Sequence, residues 1–169
     1  MSDFNLQIID NFLPNDVYND ILNHIPNIEW DGMNHIYNDK PEHVWYSQNI
    51  ENSYFSQNIK EAIRKNSIFP IKEFHMLSFT LATKVKAFPH TDASPQKLYE
   101  NQLLLYIDGN NDMNKGTGFY VKNGDNYDLN THIGFYKNRA LLFKAGVWHS
   151  PLLFNAKDSI PRISIIAQF

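Results

Sequence analysis

Apolar positions change their period part-way along the chain. Val17, Ile21 and Ile25 stand at i, i+4 and i+8, the stripe of one helix face. Leu13-Pro14-Asn15-Asp16 opens that helix with a proline for its first turn and polar residues suited to free N–H groups, and Pro26 closes it. Phe55, Ile59 and Ile63 repeat the spacing and predict a second helix ending near Asn66. Ahead of both, residues 8–13 read as a short extended lead-in. From Lys72 onward the period is two: His75, Leu77, Phe79 and Leu81 alternate with Met76, Ser78, Thr80 and Ala82, as in a strand with one buried face. Residues 102–107, 118–121, 132–136, 140–144 and 162–169 read as further strands, with Asp108-Gly109-Asn110-Asn111 and Asn123-Gly124 as turns. Residues 28–50 carry Trp30, His35, Tyr37, His43, Trp45 and Tyr46 without a clean period, and are expected to be an irregular segment covering an edge of the core or lining a pocket.

The pattern predicts a mainly β chain with N-terminal helices, an α+β arrangement whose strands form a sandwich or barrel with the helices packed outside. The 169 residues suit one domain over 1–169, with a helical part at 1–70 and a β core at 71–169. Hydrophobic residues at 43% and charged residues at 20% are values of a chain that builds a core. The net charge of −3 offers no footprint for nucleic acid, the short Lys84-Val85-Lys86 run aside, and none for an anionic membrane. No apolar run approaches a membrane span, and Met1-Ser2-Asp3-Phe4-Asn5 lacks the basic head of a signal peptide, so a soluble, cytoplasmic protein is expected. The absence of cysteine excludes disulfides, thiolate metal sites and cysteine nucleophiles.

Phosphate-cradling glycine loops, dinucleotide fingerprints and nucleophile elbows are missing too. What remains is His90-Thr91-Asp92 with a later His149. Two imidazoles and one carboxylate make a facial triad, which holds non-haem Fe(II) and leaves coordination positions open. A spacing of two aims both side chains to one face if the segment is extended, and His149 must then arrive from another strand, at a mouth after the Ala145-Gly146 turn. The plain alternatives are a loop histidine after Pro89 and a histidine packed beside Trp148. Arg162 and Ser164 share a strand face, and an arginine fork beside a hydroxyl suits a carboxylate. Arginine otherwise occurs only at Arg64 and Arg139, with lysine the common cation, so its use at 162 is informative. Tyr106 stands on the strand after His-x-Asp, where its hydroxyl can join the same carboxylate or sit in the core.

His90-x-Asp92, the strand 102–108, Gly116-Thr117-Gly118-Phe119-Tyr120, Asn138-Arg139-Ala140-Leu141-Leu142-Phe143, His149-Ser150-Pro151 and Arg162-Ile163-Ser164 occur in that order. Together with Ile9-Asp10-Asn11-Phe12-Leu13-Pro14 they resemble the 2-oxoglutarate- and Fe(II)-dependent dioxygenases, in particular the small prolyl-hydroxylase-like members of bacteria and phages. The resemblance spans nearly the whole chain. It implies a double-stranded β-helix, or jelly roll, with Fe(II) on His90, Asp92 and His149. It implies that Arg162 and Ser164 hold the distal carboxylate of 2-oxoglutarate, aided by Tyr106. The activity implied is an O2-dependent hydroxylase acting on a small-molecule or peptidyl substrate, with 2-oxoglutarate converted to succinate. The short gap from Asp92 to His149 implies reduced lid loops, and segment 28–50 matches no motif of the family. A jelly-roll module that binds a metal or ligand without turnover, and a zinc hydrolase on the same ligands, are the competing readings.

Overall fold

The computed structural model describes residues 5–37, 40–82, 88–93, 98–152 and 162–169; the Lys84–Lys86 run lies outside them. Among these residues the chain is mostly β with two helices. The elements run β1 (Leu6–Ile9), α1 (Asn15–His24), a 3-10 turn (Ile25–Asn27), β2 (Asp31–Tyr37), β3 (Lys40–Asn49), α2 (Ser56–Asn66), β4 (Met76–Ala82), β5 (Asn101–Asp108), β6 (Asp112–Asn123), β7 (Asn126–Phe135), β8 (Ala140–Lys144), β9 (Trp148–Leu152) and β10 (Arg162–Gln168). A seven-stranded sheet has the order β1-β8-β5-β10-β4-β3-β2, and a three-stranded sheet the order β7-β6-β9. All strand pairs in both are antiparallel.

The helices form where the period of 3.6 predicts them. Phe55, Ile59 and Ile63 are fully buried, each contributing roughly 1.5–3 kcal/mol of apolar transfer. Arg64 and Lys65 complement the C-terminal dipole of α2. In α1 Ile21 is buried, with Val17 and Ile25 packed beside it. Both helices lie against the face of the large sheet formed by Leu77 and Phe79 of β4, Leu103, Leu105 and Ile107 of β5, and Ile163, Ile165 and Ala167 of β10. The opposite face meets the small sheet through Leu104, Tyr106, Phe119, Phe135, Leu141 and Phe143. Strands β5 and β10 are therefore covered on both sides, and each alternates between two buried faces.

Two polar devices fix the helical layer to the sheet. Asn138 is buried in a left-handed conformation (φ 59°), which asparagine tolerates better than most residues. Its side chain accepts from Leu13 N–H (2.9 Å) and donates to Leu13 C=O (2.9 Å), while its own carbonyl accepts from Phe12 N–H (3.0 Å). The ladder between β10 and β5 passes from Ile163↔Asp108 to Ser164↔Tyr106, so Ile107 is an extra residue on β5. Its carbonyl accepts a hydrogen bond from the Tyr18 hydroxyl. Burial, reinforced by Asp108, pushes the Tyr18 phenol up to about 12, so it stays a donor.

Three expectations need correction. Segment 28–50 is not irregular: β2 and β3 form a hairpin that extends the large sheet beyond β4. A bulge between His35 and Ile36, with Pro41 opposite Ile36, shifts the alternation and hides the period. The side chains of residues 32–46 lie outside the described set; Trp30, just ahead, packs edge-on against Phe79 at 6.4 Å. The first 70 residues thus supply three strands besides the helices. The strand that carries His149, β9, is not among those the pattern predicts, although His149 stands near its start, just after the Ala145-Gly146 turn as expected. Pro151 concealed that strand, yet it sits at the sheet edge, where a missing N–H is tolerated.

Candidate metal centre

His90, Asp92 and His149 come together from a loop and an edge strand. His90 and His149 form an isolated antiparallel bridge, exchanging N–H···O bonds of 3.0 and 2.9 Å. Asp92 is placed by its own N–H on Ala145 C=O (3.0 Å) and by the Tyr99 hydroxyl donating to its carbonyl (2.9 Å). One donor atom from each of the three side chains falls within 4.8 Å of the others. The imidazole centroids are 4.6 Å apart, and His149 Nε2 lies 3.3 Å from Asp92 Oδ2.

Each ring is oriented from behind. His90 Nδ1 is 3.1 Å from Phe88 C=O, and His149 Nδ1 is 2.9 Å from Val147 C=O. A carbonyl only accepts, so Nδ1 carries a proton in both rings and Nε2 is the nitrogen turned to the centre, where that of His149 meets Asp92 and a metal could take the place of a proton. Phe143 meets the His149 ring edge-on at 5.0 Å and Phe119 lies at 6.4 Å, forming an apolar wall. Burial pushes the Asp92 carboxyl up. The hydrogen bond from His149 and the charges of His149 and His90, helped by the nearby Gln102 amide, outweigh it and hold the carboxyl well below the usual carboxylate range. Asp92 is an anion ready for a cation.

A second cluster lies where β10, β5 and β6 meet. Arg162 is buried, donates to Gly116 C=O at 3.0 Å and stacks over the Tyr106 ring at 5.3 Å. Burial lowers the basicity of its guanidinium, which nevertheless stays cationic in any protein setting. The Tyr106 hydroxyl is 2.7 Å from Thr117 Oγ1, and burial raises its pKa against the pull of Arg162. Ser164 is the register partner of Tyr106 and is 1% exposed, and its Oγ has no hydrogen-bond partner among the described residues. A buried hydroxyl without a partner, on the same strand face as a buried guanidinium, fits the carboxylate end of an elongated anion.

The structure also explains the glycine motif. Gly116 has φ 146°, and a Cβ there would sit 2.0 Å from Ile133 C=O, so only glycine brings this carbonyl to Arg162. Thr117, Tyr99, Phe119, Phe143 and Gln102 support the two clusters and were not singled out from the sequence. The signal that could have found Gln102 is parity: it shares the strand face of Leu104 and Tyr106.

No family profile matches the chain, and no curated protein does. Solved structures do match. A prolyl-4-hydroxylase of Pseudomonas putida aligns over 99% of this chain and 94% of its own, with TM-score 0.66 and 15% identity. A Trichoplax adhaerens prolyl hydroxylase, solved with a peptide fragment of the hypoxia-inducible-factor oxygen degradation domain, covers 96% of this chain and 82% of its own, with TM-score 0.64 and 14% identity. A Burkholderia pseudomallei oxidoreductase of the 2OG-Fe(II) oxygenase family covers 96% and 84%, with TM-score 0.69 and 11% identity. The chain therefore has the fold of the prolyl hydroxylases and 2OG-Fe(II) oxygenases, as the resemblance implies. No helix among the described residues is long and apolar enough to cross a membrane.

Proposed function

We propose that this chain is a non-haem Fe(II) oxygenase that couples 2-oxoglutarate decarboxylation to hydroxylation of a peptidyl or small-molecule substrate, on a double-stranded β-helix made by its two sheets. The observation that carries the reading is the convergence of His90, Asp92 and His149 within 4.8 Å, with both imidazoles oriented through Nδ1 so that Nε2 is the nitrogen left for the centre. The unpartnered Ser164 Oγ beside the buried Arg162 supports the co-substrate.

In this reading His90 Nε2, His149 Nε2 and an Asp92 oxygen hold the iron. With 2-oxoglutarate bound, the iron supplies the oxidation: the co-substrate and O2 give succinate and carbon dioxide, and a substrate C–H becomes C–OH. Arg162, which also donates to Gly116 C=O, takes the distal carboxylate with its guanidinium fork. Ser164 Oγ donates to the same carboxylate. Tyr106 sets the plane of the guanidinium and adds its hydroxyl, which Thr117 orients. Phe119 and Phe143 keep water from the histidine face. The prolyl hydroxylase solved with its peptide supports a peptidyl substrate, and a chain without cysteine suits a reducing cytoplasm.

The test is an anaerobic visible spectrum of metal-free protein titrated with Fe(II), with and without 2-oxoglutarate. A weak charge-transfer band that needs both, and that His149→Ala abolishes together with turnover, is the expected result. A band-free titration, or full activity in His149→Ala, refutes the assignment and favours a non-catalytic binding module.

A further inference from the structure

Gln102 is a buried amide with an unexplained need. It sits near the start of β5, 2% exposed, between Phe143 of β8 and Gln168 of β10 in the sheet register. Among the described residues neither its Oε1 nor its Nε2 has a hydrogen-bond partner. A carboxamide brings two donor hydrogens and an acceptor into the interior, and leaving them unpaired is costly, so a residue of this kind marks a group still to arrive.

Its surroundings say where. Cross-strand Phe143 packs against the His149 ring. The loop bearing Asp92 is pinned over this end of β5, through Tyr99 to the Asp92 carbonyl and through Ala145, which takes the Asp92 N–H while giving its own N–H to Glu100 C=O. Gln102 shares the strand face of Leu104 and Tyr106 that this loop closes, near enough to Asp92 to help lower its pKa though it forms no hydrogen bond by geometry. Both histidines already have a carbonyl behind them. The Asp92 side chain leans on His149 Nε2, and a metal ion would claim that same nitrogen.

We propose that Gln102 is the positioning residue for Asp92: when a divalent cation takes the three ligands, the Gln102 Nε2–H donates to the carboxylate oxygen that the cation leaves free. The inference rests on the metal-centre reading above. Gln102 touches neither metal nor substrate; it fixes the angle at which Asp92 offers its oxygen, as the carbonyls of Phe88 and Val147 do for the imidazoles.

The experiment compares Co(II) binding by calorimetry and visible absorption in wild type, Gln102→Met and His149→Ala, with melting curves of each metal-free protein. Gln102→Met keeps the volume and removes the donor. Co(II) affinity is expected to fall about 10- to 100-fold, while the metal-free melting temperature stays level or rises because no hydrogen bond is lost. Unchanged affinity overturns the proposal. So does a loss of affinity that merely follows a fall in melting temperature, which is the mark of a packing role. Wild type that binds Co(II) no better than His149→Ala overturns the metal centre itself, a separate failure. A further readout needs no variant. Zn(II) is expected to move the Gln102 side-chain amide protons downfield and slow their exchange in wild type, and resonances that stay in place overturn the proposal.

Discussion

Ser164→Ala separates binding from stability, because the two are expected to respond in opposite senses. Ser164 is 1% exposed and its hydroxyl has no partner among the described residues, so the metal-free protein carries a buried polar group that gains nothing. Such a group costs about 1–3 kcal/mol, and its removal should leave stability level or raise it by up to ~1 kcal/mol once the small void is counted. In a chain of this length that is a rise in melting temperature of about 2–4 °C at most. Binding should move the other way. A hydrogen bond to a carboxylate contributes roughly 1.5–3 kcal/mol, and with Arg162 still in place the lower end applies, a loss of about tenfold in 2-oxoglutarate affinity. The assay is anaerobic titration of the Fe(II) protein with 2-oxoglutarate, read by charge-transfer absorption, beside thermal melts of metal-free protein. An unchanged dissociation constant, or a melting temperature that falls by more than a few degrees, would refute the reasoning.

Arg162→Lys keeps the charge but loses the fork that serves Gly116 C=O and a carboxylate together, so half-saturation by 2-oxoglutarate should rise about 10- to 100-fold with iron affinity nearly intact; equal half-saturation in the variant removes the assigned role. Asn138→Ala should cost about 2–4 kcal/mol in denaturant unfolding, because it strands both Leu13 backbone groups and puts alanine at φ 59°; a cost below ~1 kcal/mol would show that the staple is dispensable. The hydrogen bond from Arg139 lowers the pKa of Asp10, partial burial opposes it, and the guanidinium charge adds to the lowering. A folded pKa below the unfolded one means stability that is present above the unfolded carboxylate value and lost as pH falls through the folded one. Asp10 is half exposed, so Asp10→Asn should cost under ~1 kcal/mol at pH 7 and nothing once the wild-type carboxyl is protonated; equal penalties in both limits, by urea midpoints, would contradict this.

Much of this molecule is written in local periodicity. Phe55, Ile59 and Ile63 mark α2 because a helix buries every fourth residue, and the strands at 76–82, 101–108, 140–144 and 162–168 lie where the alternation or apolar runs place them. The three metal-ligand candidates were legible from residue type and a spacing of two, and Arg162 with Ser164 from strand parity. Other features left no local trace. The β2–β3 hairpin is hidden by a bulge that breaks its alternation, and β9 by its proline. That His149 stands opposite His90, that Gly116 turns its carbonyl to an arginine 46 residues away, and that Asn138 holds Leu13 across 125 residues are matters of long-range register. Gln102 is legible only as the first residue of a strand whose parity puts it on the Tyr106 face; that this polar position is sealed in depends on what covers it. Local sequence determines which face of an element is apolar, because one segment alone sets that energy. Which polar atoms meet, and which are left waiting for a partner, is decided only when sheets and loops close around them.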